Sequence, residues 1–515
     1  MANEEVYDEF SPLDMTLERV GMGYYQWKLL ILCGFGWLND SMWLQSIAII
    51  LPRVKIHFGI SDKWIGLLST STFFGMMIGA WMWGSFSDSY GRRNPFNGTL
   101  FMTSIFGLVS GFAPTFNLLC LSMFFLGIGV GGSMPTDGTL FIENIPKTRH
   151  YLLTALSTFF SLGAVISSLL GLTILPSRSC PEPTSNEHQS CDLSKNNQGW
   201  RYMLVVSGIL TLLMFLSRVL FFRIMESPKY LIASGRSADA IIVLEEISAQ
   251  NGVELIVSES DLIDQRHSDA QGLLVRNNED RSYRLIGEHH HHHHQHRRFG
   301  ADDGSDSGFV WIKSARIGWL IFCERLEVLM SPELRTKTIL IWSIWIVVAF
   351  GYTSFNVFLP AYMEKLQIGD NRIEDTMKEY LLYTLAGFPG SLIGTWMVET
   401  RLGRRNTMVV TTLGTGLSIL SFLKIGVGVG ARISSMIVSL LATIMCFTPE
   451  LFPPSVRGTG YGISSALSRL SGMIAPIVVG RFIAILNIRS VLWISIISFF
   501  LSTVLMIKLS LIGTK

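Results

Sequence analysis

Two groups of six apolar stretches flank a polar segment in this 515-residue chain, and each stretch has the length of about 20 residues that carries a helix across a bilayer. They run at roughly 27–51, 64–86, 96–114, 117–142, 152–175 and 200–223, and then at 338–361, 379–399, 407–426, 432–452, 459–483 and 489–512. The pattern predicts an all-α polytopic membrane protein with twelve transmembrane helices in two six-helix halves. The expected domains are an amino-terminal segment 1–26, a first half 27–223, a central loop 224–337, a second half 338–512 and a tail 513–515.

Composition points the same way. With 49% hydrophobic and 16% charged residues and a mean hydropathy of +0.39, the chain has more apolar surface than a water-soluble domain of this length can hide, so the lipid bilayer must cover part of it. A formal net charge of +2, with no basic stripe interleaved with aromatics, argues against nucleic acid as a partner. The six cysteines lack CxxC or CxxxH spacing, so no metal site is expected. Cys180 and Cys191 share one polar loop between two apolar runs, where they could form a disulfide in an oxidising compartment or remain free thiols. Residues 1–26 are polar and acidic, unlike a signal peptide, and the first span is expected to act as its own insertion signal.

The central loop carries the run His289 to His294, followed by Gln295 and His296, which reads as an expression tag or low-complexity tract rather than a metal site. Its ends look better ordered. Ser237 to Ile247 has helical spacing, and Ile317 to Met330 reads as an amphipathic helix before the seventh span.

The halves repeat each other. Gly91-Arg92-Arg93 follows the second span and Gly403-Arg404-Arg405 follows the eighth; Glu143-Asn-Ile-Pro146 ends the fourth span and Glu450-Leu-Phe-Pro453 ends the tenth. The separations are similar, 52 residues from Gly91 to Glu143 and 47 from Gly403 to Glu450. A parallel two-fold repeat of six spans places a binding site between the halves near mid-membrane.

Gly84-Ser-Phe-Ser-Asp88-Ser-Tyr-Gly91-Arg92-Arg93 resembles the loop signature G-x-x-x-D-[RK]-x-G-R-[RK] of the major facilitator superfamily, with Ser89 in place of its basic residue. Glu226-Ser-Pro-Lys-Tyr-Leu231 resembles the signature that sugar porters carry after the sixth span. Ser331-Pro332-Glu333-Leu334-Arg335, Phe388-Pro389-Gly390 and the stretch from Thr448 through Pro453 to Arg457-Gly458 are similar to the synaptic-vesicle-protein and nicotinate-porter branch. The resemblance implies a major facilitator fold, a transporter rather than an enzyme, and an integral multi-pass protein of the plasma membrane or an organelle membrane. It also implies a conformational latch of ion-paired helix ends, made by Gly84, Asp88, Gly91, Arg92, Arg93, Glu143 and Glu226. The second copy would use Arg401, Gly403, Arg404, Arg405, Glu450 and Arg457, with Thr400 at the usual acidic position. Both termini and the central loop are assigned to the cytoplasm, because the Gly-Arg-Arg turns and the charged loop then share one side.

Ionisable side chains inside an apolar span are costly and usually face the bundle interior or a water-filled cavity. Asp40 in the first span, Asp137 in the fourth and Arg469 in the eleventh stand out. Asp40 and Asp137 are candidates for proton coupling, since a carboxylate in a cavity that opens alternately can load and release a proton; the other reading is a fixed interhelical contact. Arg469 stays charged and needs an anion. Either it pairs with Asp40 or Asp137, or it meets an anionic substrate together with Asn39, Tyr352 and Asn356. Trp37, Trp43 and Trp345 either line a cavity or pack. Gly127, Gly131 and Pro135, spaced four apart, are expected to let helices approach closely. There is no GxxxxGK[ST] loop, so no nucleotide or other cofactor is expected and energy would come from a gradient. The expected partners are thus a small-molecule substrate and protons. A sugar porter and a non-transporting sensor of the same fold remain as alternatives.

Overall fold

In the computed structural model, the described residues are 11–150, 152–180, 192–220, 224–253, 255–258, 262, 323, 326–332, 334–366, 372–400, 403–425, 433, 437, 457–485 and 489–512. Fourteen elements carry the architecture among them. An amino-terminal helix α1 (Pro12–Val20) precedes six long helices: α2 (Tyr24–Phe58), α3 (Leu67–Tyr90), α4 (Arg93–Gly111), α5 (Phe116–Glu143), α6 (Leu152–Arg178) and α7 (Gly199–Leu220). Two short helices, α8 (Pro228–Ala233) and α9 (Ser237–Gln250), lead into the central loop. The second half contributes α10 (Arg335–Leu366), α11 (Arg372–Glu399), α12 (Gly403–Ile425), α13 (Arg457–Ile485) and α14 (Arg489–Ile512). The expected tenth span at 432–452, the histidine run and most of the stretch from Ile317 to Met330 lie outside the described residues.

Eight of these helices are long and apolar enough to cross a bilayer by length and composition alone. Several run past the expected span ends. Helix α2 continues through Pro52 to Phe58, where Gly59 in the left-handed region (φ 62°) stops it. Helix α11 begins at Arg372, seven residues before the apolar run, with Glu374 and Asp375 in its first turn where the helix dipole favours acids.

Within the first half, α3 packs along α5, α4 along α5 and α7, and α2 along α6; in the second, α10 packs against α13 and α14. The α3–α5 seam is the close approach expected from Gly127 and Gly131: a Cβ on Gly131 would sit 2.1 Å from the Met76 carbonyl oxygen. The halves meet along α2 with α10, α6 with α11, and α3 with α13. One buried cluster joins them, with Trp43, Ile47 and Val54 from the first half and Phe355, Tyr362 and Tyr380 from the second.

The amino-terminal segment, expected only as polar chain, contains the amphipathic helix α1. Ser11 caps it by accepting from the Asp14 backbone N–H, and Leu13 and Leu17 are buried with Leu231, Ala240 and Leu244 of α8 and α9. Helix α9 matches the helical spacing read at Ser237 to Ile247 and runs on to Gln250. Lys229 pairs with Asp14 at 2.8 Å, and the Glu18 carboxylate accepts from the Thr148 backbone N–H and hydroxyl, both at 2.9 Å. The segments flanking the first half are therefore docked onto it.

Candidate functional site

Asp40 and Asp137 occupy successive rungs of the contact between α2 and α5. Both are buried. The Ser133 hydroxyl donates to Asp40 Oδ1. Asp137, one turn further along α5, lies against Gly36, one turn earlier on α2. A Cβ at Gly36 would stand 1.7 Å from Asp137 Oδ2, so only glycine lets the carboxylate approach the backbone there.

Of the two alternatives read for Arg469, pairing with Asp137 or contact with an anion, the structure gives Asp137 a different partner. Arg218 of α7 takes that role, donating from Nη2 to Asp137 Oδ2 at 2.7 Å with neither side chain exposed. Its remaining donors reach the Leu32 and Phe96 backbone carbonyls, and its guanidinium carbon lies 3.6 Å from the centre of the Phe96 ring. These contacts hold four helices of one half together, α2, α4, α5 and α7. Both side chains are fully buried within that half. Arg218 was detectable by the rule that singled out Asp137, since it too is a charge within an apolar span.

Arg469 is half-buried on α13 and reaches across to the first half, where its Nη1 donates to the Met76 carbonyl at 3.3 Å. Its charge lies within electrostatic range of Asp40. Asn39, grouped with the substrate residues by sequence, instead turns into the first half, where its amide oxygen accepts from the Thr211 hydroxyl at 2.8 Å. Trp43 packs in the same place, donating to Thr211 at 3.0 Å.

Tyr352 and Asn356 do face the space between the halves. With Gln45, Ser69, Thr72 and Phe160 they line a cavity of about 40 Å³. That is room for a few water molecules and too little for a metabolite. Asn356 accepts from the Tyr383 hydroxyl at 3.0 Å and donates to the Tyr352 carbonyl at 3.3 Å. Beyond the cavity, the Tyr380 hydroxyl donates to Gln45, and Thr384 bonds Ser168 at 3.0 Å. Both contacts cross between halves, and both lie toward the face opposite the Gly91 turn. Gln45, Tyr380 and Tyr383 escaped sequence reading because a single polar residue in a span looks the same whether it packs or lines a cavity.

At the other face several residues expected to form the first copy of the latch come together. Gly91, at φ 95°, makes the turn, and its missing side chain leaves room for the Glu226 carboxylate, which a Cβ would meet at 2.4 Å. Glu226 accepts from the Arg92 backbone N–H at 2.7 Å and from that of Arg93 at 3.4 Å. The Arg92 guanidinium makes two hydrogen bonds of 3.2 Å to Glu143 and lies over the Tyr230 ring. Gly84 lies within α3 and has open space where a Cβ would stand. The Asp88 side chain lies outside the described residues, as do Arg401, Glu450 and the side chains of Arg404, Arg405 and Arg457; Gly403 opens α12. Cys180 is disulfide-bonded. Its expected partner, Cys191, lies outside the described residues.

These features can be set beside known proteins. The chain is 30% identical over 473 residues to a major facilitator-type transporter, hxnZ, of Emericella nidulans, covering 89% of this chain and 79% of that one. It is 26% identical over 516 residues to a synaptic vesicle 2-related protein of Xenopus laevis, covering 95% and 78%. Among solved structures, the xylose transporter XylE from E. coli in a partially occluded inward-open conformation aligns with a TM-score of 0.64 at 15% identity, covering 94% of this chain and 97% of that one. That likeness shows the fold, twelve helices in two six-helix halves. The family model of the Major Facilitator Superfamily matches residues 29–444 and 341–512, and with both halves so covered the chain belongs to that superfamily of membrane transporters.

Proposed function

We propose that this transporter is a secondary active one, coupled to protons through Asp40, that moves a small polar, anionic metabolite by alternating access between its halves. The observation that carries the reading is the contrast between the two buried carboxylates. Asp137 is ion-paired with Arg218, whereas the neutral Ser133 hydroxyl holds Asp40. A carboxylate without such a tight cation can change protonation as its half moves, whereas a paired arginine favours the charged form of its carboxylate. Arg469, reaching between the halves from α13, supplies the positive charge for an anionic substrate. The latch at Arg92, Glu143 and Glu226 stabilises one end of the first half while the halves rock. We assign that face to the cytoplasm.

A sugar is the second reading. It is favoured by the neutral hydroxyl and amide lining of the cavity, with Gln45, Ser69, Thr72, Tyr352 and Asn356. Uptake of a panel of labelled anionic and neutral metabolites into proteoliposomes, with and without an imposed pH gradient, separates the two. Accumulation of an acid that is lost in Arg469→Gln supports the anionic reading. Gradient-driven uptake of a neutral sugar that survives Arg469→Gln supports the other.

A further inference from the structure

The halves touch at a second charged contact that the central site does not use. Arg53 lies in the last turns of α2, two turns beyond Gln45, and is 1% exposed; Glu364, near the end of α10, is 8% exposed. The Arg53 guanidinium donates from Nη2 to the Glu364 carboxylate across the boundary between halves, and from Nη1 to the Cys180 backbone carbonyl. Asn197 completes the setting, donating to the Arg53 carbonyl at 3.0 Å and accepting from the Cys180 N–H at 3.4 Å. Cys180 and Asn197, between α6 and α7, thus hold Arg53 in place from its own half, and Glu364 arrives from the other.

We propose that Arg53 and Glu364 are the lock that keeps the halves closed on the face opposite the Gly91 turn. The physical reason is the location of the contact. An ion pair buried inside one half would persist through any rocking motion, but this one must break whenever the halves part on that face. Parted, both charges regain water. Closed, each depends on the other, so removing one strands a buried charge and penalises the closed state alone. The contact lies outside the Gln45–Tyr380 and Ser168–Thr384 bonds, so it is the outermost polar layer over the cavity among those described. A second seam reinforces it, where the Thr70 hydroxyl donates to the Met473 carbonyl at 3.0 Å.

The inference rests on the halves moving relative to one another. Its test needs neither substrate nor proton gradient, so failure here is distinguishable from failure of the coupling reading. Ala48, which lines the cavity, is replaced by cysteine as a reporter. Labelling by a membrane-impermeant maleimide added from the Arg53 side is timed against the same protein without the reporter. Glu364→Gln and Arg53→Gln are expected to speed labelling by more than about tenfold, and the charge-exchanged double variant Arg53→Glu with Glu364→Arg should slow it again. Unchanged labelling in both single variants at normal yield would overturn the lock, as would a double variant as fast as the singles. Should Glu364→Gln fold poorly, Glu364→Asp is read instead. It keeps the charge and shortens its reach, so intermediate acceleration is expected and a parental rate contradicts the proposal.

Discussion

Arg218 and Asp137, from the sixth and fourth helices of the first half, form an ion pair of 2.7 Å from which water is fully excluded. Removing one partner of such a pair leaves an uncompensated charge in a site without solvent, at a cost of about 3–5 kcal/mol. Asp137→Asn and Arg218→Gln should each lower folded yield and thermal stability in detergent. The double variant should recover much of the loss, because two neutral amides can satisfy each other where one amide and one ion cannot. Additive losses in the double variant would show that the two side chains act separately.

The Arg92–Glu143 contact is partly solvated and joins α4 to α5 within the first half. Arg92→Ala should cost about 1–3 kcal/mol of local stability, the worth of hydrogen bonds to a charged group, without unfolding a bundle held by apolar packing. Hydrogen exchange should rise at residues 87–93 and at the end of α5. Exchange unchanged there would remove the ion pair from the latch.

The docked amino-terminal helix has a calculable pH response. Burial pushes the Asp14 carboxyl up, but the hydrogen bond and charge of Lys229, with help from Ser11, more than offset it and hold the group below its ordinary value of 3.8. A carboxylate depressed on folding contributes stability that is complete above the unfolded value and disappears as pH falls through the folded one. Docking of α1 should therefore be insensitive to pH between 7 and 5 and weaken only in the acid range below about 4. Asp14→Asn should loosen it at neutral pH. Protection of residues 12–20 against hydrogen exchange, corrected for the intrinsic rate, measures both; equal protection in Asp14→Asn and the parent at pH 7 contradicts the role given to Lys229.

Much of the architecture was legible because its signals are local. A run of apolar residues identifies a span without knowledge of its neighbours, and the doubled Gly-Arg-Arg and Glu-x-x-Pro motifs expose the repeat. The pairings were not legible in the same way. Asp137 was visible as a buried charge, but whether Arg218 or Arg469 answers it depends on how helices are arranged around α5. Arg53 and Glu364 fell just past the expected span ends at 51 and 361, where charges are usual, so nothing distinguished them from snorkelling side chains. The contacts of Asn39 were not legible for a related reason. Adjacent residues on a helix point about 100° apart, and from sequence alone nothing shows that Asp40 meets Ser133 while the Asn39 amide oxygen meets Thr211.

The central claim is that Asp40 carries the coupled proton, and the direct measurement is gradient-driven accumulation by Asp40→Asn in proteoliposomes. Reconstituted at equal yield with the parent, the variant should lose accumulation under an inward proton gradient while still exchanging labelled for unlabelled substrate at equal pH on both sides. An amide imitates the protonated acid but cannot release a proton, and exchange requires no net proton movement. Full pH-driven accumulation by Asp40→Asn would contradict the account.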